Sequence, residues 1–289
     1  MRIFRSIVSL IVLSLIFSCS ENKEAGNISI SKEHKRVYED SFEGDTIAPF
    51  WKTQQITHPD RLQLVPDPLD PGNKVMKIAI EPGDKVAGGY RNEIVFRSHD
   101  SLGYLTKYSY RFMLPESFFE KEEKAGSIVL NQWHDDPYPG FTWATKKIKV
   151  RPPYAMYIEH NPEGEFFMKL HSGVKMGNVN EMTIVKWPHK LEPNKWYTLK
   201  TEIFWSIYEN GYVKASIDDT CFELEGVSQC KVSATNMYHK IPNYYKMGLY
   251  WSKGHTHKRH IYYDDFDMVT RRIGYFPPMT DVDSLQTEK

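Results

Sequence analysis

The chain has 289 residues, and its 37 Lys and Arg balance 37 Asp and Glu, so the formal net charge is +0. A balanced chain has no global field to draw it to nucleic acid or to an anionic membrane, so any polyanion site must come from local clustering. Aromatics at 14% suit a sugar-binding surface and a large β core equally.

Residues 1–18 read as an export signal. Arg2 and Arg5 precede a largely apolar run, Ile7 to Phe17, that is too short to span a bilayer comfortably. The run ends in Ile16-Phe17-Ser18-Cys19, which resembles a bacterial lipobox with Cys19 as the lipidated residue; an ordinary secretory signal with an incidental cysteine is the alternative. The expectation is an exported protein, held to a bacterial membrane by lipid. Residues 19–35 are polar and read as a flexible tether. With Cys19 lipidated, Cys221 and Cys230 remain as a pair in an oxidising compartment, and their short spacing suits a local disulfide. Two buried thiols are the alternative.

Residues 36–272 read as one β domain, and 273–289 as a polar tail. Val75–Ile80, Asn92–Phe96, Tyr108–Met113, Ser127–Trp133, Ala155–Glu159 and Phe166–Leu170 are short runs rich in β-branched and aromatic residues, separated by Gly, Pro, Asp and Asn. Trp196–Tyr208 and Tyr212–Ile217 flank Glu209-Asn210-Gly211, and Asn-Gly between two such runs predicts a hairpin because both residues tolerate positive φ. Asp218-Asp219 predicts the next turn, and Tyr244–Trp251 and His260–Val269 the last strands. Many short strands without helical periodicity predict an all-β jelly-roll sandwich with a concave groove.

Strand side chains alternate between faces. That rule puts Arg91, Glu93 and Arg97 opposite Ile94 and Phe96, and Gln132 and His134 opposite Trp133. It also puts Tyr244, Lys246, Gly248 and Tyr250 opposite Tyr245, Met247, Leu249 and Trp251. An ordinary half-buried strand with a solvated face is the bland reading of each. Water-facing strands, however, usually show Lys, Glu, Thr and Ser. Here Arg, Gln, His, Lys and Tyr recur, the residues that bind anionic oxygens and move protons.

Tyr244-Tyr245-Lys246-Met247-Gly248-Leu249-Tyr250 resembles the Y-x-K-x-G-x-Y strand of jelly-roll polysaccharide lyases, Arg91-Asn92-Glu93 their R-x-E strand and Gln132-Trp133-His134 their Q-x-H strand. The 196–219 hairpin and Ile261-Tyr262-Tyr263-Asp264-Asp265 look most similar to the branch containing heparin lyase I, with glucuronan and alginate lyases more distant. Met247 and Trp251-Ser252 depart from the alginate pattern. The resemblance implies β-elimination on a uronate polysaccharide. Such a site must neutralise the carboxylate, remove the C5 proton and protonate the departing C4 oxygen. Gln132 and Arg91 are candidates for the first task, His134 for the base, and Tyr250 for the acid or for both proton transfers. Lys246 is expected to supply positive charge to Tyr250, and Glu93 to orient Arg91.

Around these, Arg97, Trp143, Tyr244, Lys253, His255, His257, Lys258 and Arg259 are candidate substrate-binding residues, the last five from a basic loop after the Tyr250 strand. Tyr138 and Phe141, beside Trp143, suit either a stacking wall or loop packing. No metal site is assigned, because H-x-H without a third ligand is weak; Asp264, Asp265 and Asp267 leave room for calcium, though no cofactor is required. The expected partner is an anionic polysaccharide rather than nucleic acid, bound by a monomer. A glycoside hydrolase on the same sandwich, which needs paired carboxylates across the bond, and a non-catalytic glycan-binding lipoprotein are the rivals.

Overall fold

The computed structural model describes residues 28–30, 35–120, 127–137, 140–142, 151–161, 163–176, 179–180, 182–251 and 256–273. In chain order the strands are β1 (Ile28–Ile30), β2 (Arg36–Asp40), β3 (Trp51–Gln55), β4 (Leu62–Pro66), β5 (Lys74–Ile80), β6 (Tyr90–Asp100), β7 (Tyr104–Met113), β8 (Ile128–His134), β9 (Tyr154–His160) and β10 (Phe166–Ser172). They continue with β11 (Lys175–Met176), β12 (Val179–Asn180), β13 (Thr183–Lys190), β14 (Trp196–Phe204), β15 (Tyr212–Ile217), β16 (Thr220–Leu224), β17 (Val227–Gln229), β18 (Lys231–Ser233), β19 (Asn243–Trp251) and β20 (Arg259–Arg272). Short 3-10 turns at Pro59–Arg61 and Glu116–Phe119 are the only helical elements among the described residues, none long or apolar enough to cross a membrane.

All pairings are antiparallel, as the predicted all-β class requires. One layer runs β3–β6–β19–β8–β9–β10–β13–β16–β17. In the other, β20 pairs with β7 on one side and with β2 and β5 on the other; β7 continues to β14, β15 and β18. β16 pairs with both β13 and β15, joining the layers along one edge.

The apolar faces predicted by alternation meet between the layers. Trp133 and Tyr245 from one layer pack on Tyr108 from the other, at centroid distances of 5.3 and 4.8 Å. Trp51 and Phe96 meet Phe266 in the same way. Each large side chain removed from water contributes roughly 1.5–3 kcal/mol. Two tyrosine hydroxyls reaching this core find partners across it: the Tyr110 hydroxyl donates to Asn131 Oδ1 (2.9 Å), and the Tyr263 hydroxyl lies 3.0 Å from Leu130 O and 2.9 Å from Gly248 O. The last two carbonyls sit where β8 and β19 slip register against each other, so a side chain of the opposite layer serves acceptors freed by a bulge.

Two expectations change. Ile28–Ile30, read as tether, pairs with β2 because its two β-branched residues extend readily beside Arg36–Tyr38. Asn210-Gly211 is not a two-residue hairpin turn. β14 ends at Phe204, opposite Tyr212, and the buried Trp205 begins a longer loop. There Asn210 accepts from Ser206 Oγ (2.6 Å), and a Cβ on Gly211 would lie 2.6 Å from Ala234 O. The tight turn is Asp218-Asp219, with φ of 47° and 61° between the paired Ile217 and Thr220. Cys221 and Cys230 are joined, with Cα atoms 4.9 Å apart, tying β16 to the chain just before β18.

Candidate active site

β19 lies between β6 and β8, so register decides which polar side chains meet. Tyr250 is opposite Arg91 and Gly248 opposite Glu93 on one side; Lys246 is opposite Gln132 and Tyr244 opposite His134 on the other. Gly248 makes this spacing feasible. Its φ is +149°, and a Cβ there would fall 2.2 Å from Asn92 O. The glycine of the motif is thus a strand-contact residue. Asn92, facing away from the groove, is held by Ala79 O and Asp84 (2.9 Å each), while Thr57 donates to its Oδ1 from both N–H and hydroxyl.

The centre of the polar face is buried. Glu93, 0% exposed, accepts from Gln132 Nε2 at 2.5 Å and from the Arg91 guanidinium at 3.1 Å, which also lies 3.5 Å from Gln55 Oε1. Lys246 is 3% exposed, and burial holds its amine below the ordinary lysine range against the opposing pull of Glu93. Arg91, Gln132, Lys246 and Glu93 therefore form one charged cluster under an open sheet face, with Glu93 orienting both Arg91 and Gln132.

Tyr250 and His134 stand toward opposite ends of this row. The Arg91 guanidinium lies 3.9 Å from the Tyr250 ring centroid. This corrects the expected source of charge. Lys246 and Tyr250 are four positions apart along β19, and the Lys246 amine lies over Tyr244 instead, at 5.4 Å. At the other end the His134 ring stacks on Tyr244 (5.9 Å). Its Nδ1 hydrogen bonds the Asp135 carbonyl at 3.1 Å, with Asp135 Oδ1 2.9 Å away. A carbonyl only accepts, so Nδ1 carries the hydrogen and the neutral ring has its lone pair on Nε2.

The remaining expected residues divide. Arg97 is on the face, paired with Asp136 and stacked 4.4 Å over Tyr244, which is itself buried. The basic loop is weaker than its composition suggests. Arg259 is fully buried, bonded to Glu120 O between the rings of Phe118 and Trp251, and so does not meet substrate. Lys258 pairs with Glu81, and His257 lies 3.6 Å from Glu120. Phe141 is exposed. Cys19, Tyr138, Trp143, Lys253 and His255 lie outside the described residues. Asp264, the first calcium candidate, accepts from Asn73, Arg111 and the Asp265 N–H, and no group of three potential ligands for a metal occurs among the described residues.

The polar face extends further than expected, across β9 and β10. Tyr157 stacks 4.1 Å from His171, and Lys169 pairs with Glu159 at 2.5 Å. Burial pushes the Tyr157 hydroxyl up to about 12 and the His171 imidazole down to about 4. The same alternation was present in Ala155-Met156-Tyr157-Ile158-Glu159 and would have found them.

The structure is thus an antiparallel β-sandwich with a buried polar cluster on one sheet face, and comparison with known proteins gives its family. The chain belongs to the polysaccharide lyase family, whose model matches residues 43–267. A search of curated protein sequences returned no match. Among solved structures the chain is similar to an endo-β-1,4-glucuronan lyase from the fungus Trichoderma reesei, at 17% identity and a TM-score of 0.50, covering 76% of this chain and 94% of that one. It also matches an alginate lyase from Aplysia kurodai (12% identity, TM-score 0.45, 72% and 87% covered) and an endo-1,3-β-glucanase from Streptomyces sioyaensis (14%, 0.46, 81% and 95%). At these identities the likeness to the glucuronan lyase is one of fold.

Proposed function

We propose that this polysaccharide lyase cleaves a uronate-containing polymer by β-elimination on the β6–β19–β8 face. The observation that carries the reading is the buried cluster of Arg91, Gln132 and Lys246 around Glu93, with Tyr250 at one end and His134 at the other. A uronate carboxylate over the cluster meets Arg91 and Gln132, whose donors stabilise the charge that develops when C5 loses its proton. The C5 proton passes to a base, the C4–O bond breaks as the C4=C5 bond forms, and the leaving oxygen takes a proton from an acid. His134, with its lone pair on Nε2, suits the base. Tyr250 suits the acid and, with the Arg91 guanidinium against its ring, is also the candidate for both transfers on sugars whose C5–H and leaving oxygen share a side.

Glycosaminoglycans stand first among substrates, from the likeness of the 196–219 segment and the Ile261–Asp265 strand to the heparin lyase I branch; glucuronan and alginate follow. We further propose that Cys19 carries lipid and that the domain works on a bacterial membrane surface. The test is incubation of the domain with heparin, heparan, chondroitin, glucuronan and alginate while following ultraviolet absorbance of the unsaturated product. Tyr250→Phe and His134→Ala are each expected to lower turnover by about 10²–10⁴-fold with the fold retained. Reducing ends without that absorbance would point to hydrolysis, and full activity in either variant would sink the assignment.

A further inference from the structure

We propose that Asp135 is a positioning residue for His134, with His239 on the far side of the same buried carboxylate; this builds on the β-elimination reading. Asp135 is 0% exposed and follows directly on the last residue of β8. Its carboxylate is 2.9 Å from His134 Nδ1 through Oδ1, and 3.7 Å from His239 Nε2 through Oδ2. His239, 7% exposed, accepts the Ile241 N–H at Nδ1 (3.2 Å), so in its neutral form the ring hydrogen is on Nε2, the nitrogen turned to Asp135.

Both imidazoles therefore turn a nitrogen toward one buried carboxylate: His134 at ion-pair distance while its Nδ1 hydrogen bonds the Asp135 carbonyl, and His239 at 3.7 Å, beyond hydrogen-bond length. A buried anion is kept only where donors and positive charge compensate it. The compensation at Asp135 increases when His134 takes a proton, because the ring then becomes a cation beside a carboxylate. The dyad thus favours the state that His134 reaches after accepting the C5 proton, and it fixes Nε2 as the accepting atom. The charged or titratable groups around His134 among the described residues include Tyr244 and Lys246 on β19, Arg97 on β6, and Asp136, which is paired with Arg97. Asp135 is in direct contact with the ring.

Two measurements test this. In the wild-type domain, nitrogen-15 spectra of the His134 ring should show the hydrogen on Nδ1; the opposite tautomer overturns the proposal without reference to activity. In Asp135→Asn, kcat should fall by about 10–100-fold with KM little changed. A purely structural role for Asp135 would lower yield or stability and leave kcat of the folded fraction unchanged, and that result would also overturn the proposal. If no uronate polymer gives unsaturated product with the wild type, the lyase reading fails and the tautomer measurement still decides the role of Asp135.

Discussion

Two faces of the molecule carry rows of Lys, Glu and Tyr on neighbouring strands, and they differ in what water does to them. On the outer face of β7, β14 and β15, Lys107 and Lys214 reach Glu202 at 3.1 and 2.8 Å, and Lys200 reaches Asp219 at 2.8 Å. These lysine side chains are more than half exposed, so their pairs are solvated and worth about 0–1 kcal/mol each. On the β6–β19–β8 face, Glu93, Gln132 and Lys246 are almost wholly buried. Removing such charges from water costs several kcal/mol per ion before pairing offsets it. A sheet has no packing reason to keep a buried lysine beside a buried glutamate, so the second arrangement marks a site and the first marks a surface. Composition alone cannot tell them apart; register and depth can.

The largest effect that would break this contrast is at Gly248. Gly248→Ala places a Cβ 2.2 Å from Asn92 O and is expected to cost more than about 4 kcal/mol or abolish folding. The control Gly226→Ala, at φ +78° with nothing within 4 Å, should cost only about 1–2 kcal/mol in chemical denaturation. A comparable loss at both would remove the case for close strand contact at the motif.

Next in size is Lys246→Met. It should lower turnover at least about 100-fold while leaving the melting temperature equal or higher, since an apolar isostere avoids the desolvation of a buried amine. Loss of stability together with retained activity would reverse the assignment of this face.

A third test uses pH. Burial raises the carboxyl of Asp100 to about 6, despite hydrogen bonds from Tyr108 (2.6 Å) and Ser98 (2.7 Å). The folded state therefore holds a proton that the unfolded chain has released, so this contribution to stability is lost as pH rises from about 4 to 6, roughly 2–3 kcal/mol in all. Glu202 acts the other way. Its partial burial is outweighed by hydrogen bonds from Lys214, Lys107 and Tyr212, which hold it at about 2, so its contribution is lost as pH falls below about 4. Denaturation of Asp100→Asn across pH 3–8 should reduce the first slope, part of which Asp264, raised by burial to about 6 as well, retains, and leave the second. The smallest effect is expected for Lys200→Met, within about 0.5 kcal/mol in stability and without change in turnover.

The strands bearing catalytic candidates were legible because each alternates cleanly, and the late pair Tyr244–Trp251 and His260–Val269 needed only small extensions. What sequence could not supply was depth and cross-strand position. Lys246 and Tyr250 share a face, yet their partners come from different neighbouring strands, so charge was assigned along β19 when it arrives across it from Arg91. Arg259 looked like part of a basic loop, but its side chain turns into an aromatic slot. Asn-Gly carried the stronger turn propensity, but Trp205 is buried before the chain reverses, so a longer loop joins β14 to β15, while Asp218-Asp219 makes the tight turn expected of it.

Tyr263 extends the matter beyond the groove. Its hydroxyl, on β20 of the opposite layer, meets the Leu130 and Gly248 carbonyls at the point where the two motif strands slip past each other. A map of activity-sensitive positions drawn by random mutagenesis would therefore not stop at the groove wall. It should show a second, fainter patch on the back layer, where a lost hydroxyl is felt as a change in curvature, and homologue searches keyed only to groove residues would pass over it.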